Sequence, residues 1–160
     1  MIANHKLMVY LDGTEESLNA AEYAIYLAKK LDAELFALYI VDIKTLEDLL
    51  KANIFVKSEE LDFERDLEED GKRYLKEIEI MGKEKNVTVK TFLSKGEINE
   101  ESIKKIEELN INLLLVGEFD ISESRTNIVY SETERIFRRA KCQVLVIKDE
   151  DNAHDLFDTI

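Results

Sequence analysis

Leu7-Met8-Val9-Tyr10-Leu11-Asp12-Gly13-Thr14-Glu15-Glu16-Ser17 is the stretch on which the fold turns. Five apolar residues in a row read as a strand covered on both faces, the pattern of a parallel sheet. Asp12-Gly13 ends the strand. Thr14 then serves as the N-cap of a helix with Glu15 and Glu16 in its first turn, where acids suit the helix dipole. Leu18, Ala21, Ile25, Ala28 and Leu31 follow at helical spacing. Strand, turn and capped helix form the first unit of an α/β chain.

The same alternation continues outward. A second buried strand runs from Leu35 to Val41 and stops at Asp42. Residues 44–57 read as a short helix or an ordered insertion, and the sequence leaves the conformation of residues 44–58 open. A long helix from about Glu59 to Lys85 carries Leu67, Gly71, Tyr74, Ile78 and Met81 along one stripe. Val87 to Leu93 is the third strand, and its polar Thr88, Lys90 and Thr91 point to an exposed edge. A helix from Ile98 to Leu109, a strand from Leu113 to Val116, a loop, a helix from Ser131 to Lys141 and a strand from Val144 to Ile147 complete the order. Right-handed crossovers then give an open five-stranded parallel sheet with helices on both faces. Residues 1–148 form one domain. Residues 149–160, rich in aspartate, are expected to be an acidic tail of low order.

Composition narrows the function. A formal net charge of −13 in 160 residues opposes nonspecific nucleic-acid binding and docking on anionic lipid. The opening, Met1 to Lys6, lacks a signal peptide's apolar core, and no apolar run approaches a membrane span, so the expected location is the cytoplasm. Glu59 to Asp70 holds eight carboxylates and one arginine, with Lys72, Arg73 and Lys76 after them, the arrangement of a solvated helix face. The lone Cys142 reads as a small hydrophobe. His5 and His154 stand apart from any ligand cluster, so no metal site is expected. No nucleophile–base pair or carboxylate pair falls in a recognised catalytic motif, so no catalytic residue is assigned. A phosphoacceptor domain of similar architecture wants an acidic pair after the first strand, and Asp12-Gly13 supplies one acid.

Gly117-Glu118-Phe119-Asp120, nine further residues, then Tyr130-Ser131 keeps the spacing of a phosphate-binding loop. Such loops use glycine so that backbone N–H groups reach phosphate oxygens unobstructed. Here Asp120 and Tyr130 occupy the second and third glycine places. Val144-Leu145-Val146-Ile147 adds a second clue. Four apolar residues on a sheet edge invite pairing with another chain, a twin copy by preference, or else burial by the tail.

Val9 to Ser17, the helix Ala20 to Leu31 with Leu35 to Asp42, and the closing Tyr130 to Ile147 together resemble the universal stress protein family over roughly residues 5–148. The resemblance implies a Rossmann-like sheet of the adenine-nucleotide-hydrolase type with strand order 3-2-1-4-5. It also implies a homodimer, a cytoplasmic role in stress tolerance, and ATP in members with a full glycine motif. That motif is matched by Gly117 and Ser131 and broken by Asp120 and Tyr130. Asp12 corresponds to the acid near the nucleoside, next to Gly13, and Val41 to a position lining the adenine pocket. Gln143 stands where the family usually has proline.

With that strand order the crevice lies between Asp12-Gly13 and Gly117-Glu118, where the order reverses. Asp12, Glu118 and Asp120 converge on it. At an effective dielectric of about 20, one carboxylate about 5 Å from a unit of phosphate charge costs about 3 kcal/mol. That is roughly a hundredfold in affinity. A bridging divalent cation or Arg125 offsets part of it. Two roles remain open for Ser131, helix cap through a capping box with Glu134 or phosphate ligand, and Asp12 is equally a cap or a nucleoside contact. The expectation is a dimer without tightly bound ATP that acts through an unknown protein partner or another ligand. The alternative is an ATP- or AMP-responsive switch, or slow ATPase, with a degenerate loop.

Overall fold

The computed structural model describes residues 4–53, 56–119 and 131–160. Among them, β1 (Lys6–Leu11), α1 (Glu15–Leu31), β2 (Glu34–Asp42), α2 (Ile43–Lys51), α3 (Lys57–Glu84) and β3 (Val89–Gly96) form the first half. The second half is α4 (Ile98–Leu109), β4 (Leu113–Gly117), α5 (Glu132–Arg139), β5 (Gln143–Ile147) and α6 (Glu150–Asp158). The five strands lie in the order β3-β2-β1-β4-β5, every pair parallel. The expected sheet is the observed one.

Period-two alternation divides the core between the faces. Leu7, Val9 and Leu11 join Leu35, Ala37, Tyr39 and Val41 beneath α1, α3 and α6. Met8, Tyr10, Phe36, Leu38 and Ile40 face Ile106 and Ile136 of α4 and α5. Gly71 brings α3 close to the sheet, since a Cβ there would meet the Tyr39 ring at 2.5 Å.

Two expectations shift. The third strand begins at Val89, because Val87 still belongs to the turn, its N–H donating to the Gly82 carbonyl at 2.8 Å. The acidic tail is not of low order: residues 150–158 are the helix α6, docked along α1. Asp149 caps it by accepting from the Asn152 N–H at 3.0 Å. Ala153 and Phe157, four residues apart, share one buried face. Lys85 stands 4.6 Å from the Phe157 ring centre and donates to the Ile160 carbonyl at 3.0 Å. The carboxylates that marked this segment as a tail are its solvent face. Burying a phenylalanine side chain contributes about 1.5–3 kcal/mol, enough to hold a short helix that would not form alone.

Candidate functional site

The strand order reverses at β1, which places a crevice beyond the carboxyl ends of β1 and β4. A cleft of about 300 Å³ lies there, lined by Asp12, Glu16, Glu118, Phe119, Ser131 and Thr133.

Each lining group has a local reason for its place. Asp12 follows β1 and folds over the turn, its Oδ1 accepting from the Thr14 N–H at 3.0 Å and from the Thr14 hydroxyl. Thr14 Oγ1 accepts from the Ser17 N–H at 3.2 Å and so caps α1. Gly13 between them has φ +81°, a left-handed conformation that L side chains resist, and the ring of Tyr74 from α3 lies against it. Gly117 ends β4 flush against α1, where a Cβ would stand 2.5 Å from the Glu16 carbonyl carbon. That contact accounts for the first glycine of the loop without any phosphate.

Ser131 Oγ accepts from the Glu134 N–H at 3.1 Å and caps α5. Among the described residues no reciprocal bond from the Ser131 N–H to the Glu134 side chain is seen. Glu134 is buried and turns instead to Arg138, at 3.3 Å. The Asp12 carboxylate and the Ser131 hydroxyl thus each accept a backbone N–H at the start of a helix.

The N-termini of α1 and α5 border the cleft and favour anions. Its side chains oppose one. Asp12 and Glu118 line it as the sequence reading expected, and Glu16 is a third carboxylate that reading passed over. Its signal was available in the β1–β4 pairing, which lays the first turn of α1 against Gly117. Asp120 and Tyr130 lie outside the described residues. Val41 is buried in the core beneath the rim and does not line the cleft.

A second polar hollow of about 100 Å³ adjoins the ends of β2 and α5, with Asp42, Glu97, Glu132 and Arg135 in its wall. Burial of Glu132, with the charges of Asp42 and Glu97, holds its carboxyl above the usual range, against the pull of Arg135 and of the Asn99 amide donating at 3.1 Å. Burial, then the charges of Asp12 and Glu132, pushes the Tyr10 hydroxyl far above its ordinary range, so it stays protonated. Among the described residues that line the two hollows, carboxylates outnumber the cations Lys44 and Arg135. Among the described residues no cluster of three His, Cys, Asp or Glu side chains could hold a metal ion, and no helix is long and apolar enough to cross a membrane.

A doubly wound parallel sheet with its crevice at the switch point defines a Rossmann-like α/β protein. The chain belongs to the universal stress protein family, whose model matches residues 3–148. It is 31% identical over 143 residues to the universal stress protein MJ0531 of Methanocaldococcus jannaschii, an alignment covering 89% of this chain and 81% of the relative. In fold it is similar to a universal stress protein in complex with cAMP, at 20% identity and TM-score 0.64, covering 91% of this chain and 98% of the other. It is likewise similar to an Arabidopsis thaliana family member with AMP bound, at 15% identity and TM-score 0.63, covering 92% and 94%. These likenesses carry the fold. The segment that forms α6 lies beyond the matched residues.

Proposed function

We propose that this chain is a homodimeric, cytoplasmic stress-response protein that binds adenine nucleotide weakly and acts through protein contacts. One observation carries the reading. Three carboxylates, Asp12, Glu16 and Glu118, line the cleft where a nucleotide of the related structures would be sought. A single carboxylate about 5 Å from a phosphate charge costs about 3 kcal/mol, more than the roughly 0.3–2 kcal/mol that a helix N-terminus contributes.

The dimer rests on β5, which pairs with β4 on one side and with no described strand on the other. Val144, Leu145 and Val146 are part-exposed, Ile147 is buried, and the strand carries no charge. α6 lies along α1, with Ala153 and Phe157 in the same core cluster as Leu145 and Ile147, and it does not pair with the edge.

The second reading is a nucleotide-responsive switch. It is favoured by family structures with bound cAMP or AMP, ligands with less charge than ATP. Protein purified natively and quenched in acid separates the two. The first reading expects well under one adenine nucleotide per ten chains by chromatography. A stoichiometric nucleotide would establish the switch.

A further inference from the structure

The two ends of the sheet are chemically unlike. β5 is an uncharged apolar edge, whereas β3, eight residues long and paired among the described strands with β2 alone, is bordered by lysines on both faces. On one face a groove separates β3 from α3. Its two hollows measure about 410 and 260 Å³ and meet at Glu79. Val87, Val89, Leu93 and Leu75 give them apolar surface. The α3 wall carries Lys72, Lys76 and Lys83, spaced by four and seven residues and so on one flank of the helix. On the other face Lys105 stands 4.7 Å from the Phe92 ring centre and Lys90 lies 5.5 Å from that of Phe36. With Lys95 of β3, which pairs with Glu64 and Glu68, six lysines gather at one edge of a chain of net charge −13.

We propose that the β3 edge is a docking site for an extended acidic segment of another protein, which adds to the sheet as a sixth strand. An unpaired edge offers a row of backbone donors and acceptors, and side chains that alternate along an added strand meet each flank in turn. Here lysines stand on both flanks, and on the α3 flank Lys72, Lys76 and Lys83 outnumber Glu68 and Glu79. A second copy of this chain is a poor occupant, because a twofold about β3 would set these lysines against themselves. The lysines' present partners do not stand in the way. Lys72–Glu68, Lys76–Glu79, Lys90–Glu34 and Lys105–Glu108 span 2.9–3.4 Å with at least one partner well exposed. Exposed pairs of this kind are worth little and exchange readily. Lys83 makes no ion pair among the described residues. The inference rests on the reading of this protein as one that works through contacts. Nucleotide content tests that reading separately, so the two fail independently.

The test uses the full chain and a fluorescein-labelled ten-residue peptide of alternating valine and glutamate, followed by anisotropy near physiological salt. A valine–lysine peptide of equal length is the control. The expected result is saturable binding of the acidic peptide at least about tenfold tighter than the basic one. Amide exchange should slow across Val89–Gly96 when the peptide is bound. The triple variant Lys72→Glu, Lys76→Glu, Lys83→Glu, confined to an exposed flank, should keep the fold and lose binding by about tenfold or more. Absence of binding, equal binding of the basic peptide, or slowing at β5 instead of β3 would overturn the proposal. So would loss of the chain's own dimer in the triple variant, which would make a second copy the occupant.

Discussion

The ring of Tyr74 fills the space where a side chain on Gly13 would begin: a Cβ on Gly13 would lie 2.8 Å from Tyr74 Cε2. Tyr74 in turn stacks on Tyr39 with ring centres 6.1 Å apart, so α3 buttresses the turn that carries Asp12. Gly13→Ala meets two costs, the left-handed φ, about 1–2 kcal/mol, and the ring. Gly13→Ala should therefore cost less in a Tyr74→Ala background than in the wild type, with a coupling of about 0.5–3 kcal/mol in denaturant unfolding. Strictly additive costs would show that the ring does not constrain the turn.

Gly117 behaves differently, because its neighbour is backbone. An alanine there would meet the Glu16 carbonyl carbon and oxygen at 2.5 and 2.6 Å, which no side-chain rotation relieves. Gly117→Ala should destabilise by more than about 2 kcal/mol, and Glu16→Ala should not restore the loss. Rescue by Glu16→Ala would place the strain in the side chain instead.

Much of this architecture was legible in the residues. Apolar runs such as Leu7 to Leu11 and Leu35 to Val41 carry a parallel sheet directly, and Thr14 with Glu15 and Glu16 marks a helix start. Edge chemistry was readable too, in Lys90 and in the apolar Val144 to Ile147. Failures arose where one signal masked another. The aspartates of residues 149–160 hid the Ala153–Phe157 spacing that docks α6. Glu16 read only as dipole compensation because its closeness to Gly117 depends on strand pairing. Glu134 read as a capping partner because the spacing fits, although its side chain turns to Arg138.

The α6–α1 contact is expected to weaken as pH rises. His154 Nδ1 lies 3.1 Å from Glu22 Oε2 and Nε2 lies 3.3 Å from Asp158. The hydrogen bond with Glu22, and then the charges of Glu22 and Asp158, hold the imidazole above its ordinary value of 6.5. A raised folded-state value means that this stabilisation is fully present below about pH 6.5 and is lost as pH climbs through the folded value. Melting of the wild type against His154→Gln should show a gap at acid pH that closes on the alkaline side. A gap that widens with pH would contradict the pairing.

Lysine at Val144 and Val146 should disrupt a dimer joined through β5, since a buried unpaired charge is costly at an interface. Sedimentation velocity is expected to show a wild-type dimer and a monomer or aggregate for the double variant. A dimer that survives both substitutions would place the interface elsewhere.

Weak nucleotide affinity is the centre of the account, and calorimetric titration with ATP and magnesium reads it directly. Asp12, Glu16 and Glu118 around the cleft set the expected dissociation constant at about 0.1 mM or weaker. A low-micromolar constant would contradict the account and make the cleft a working nucleotide site.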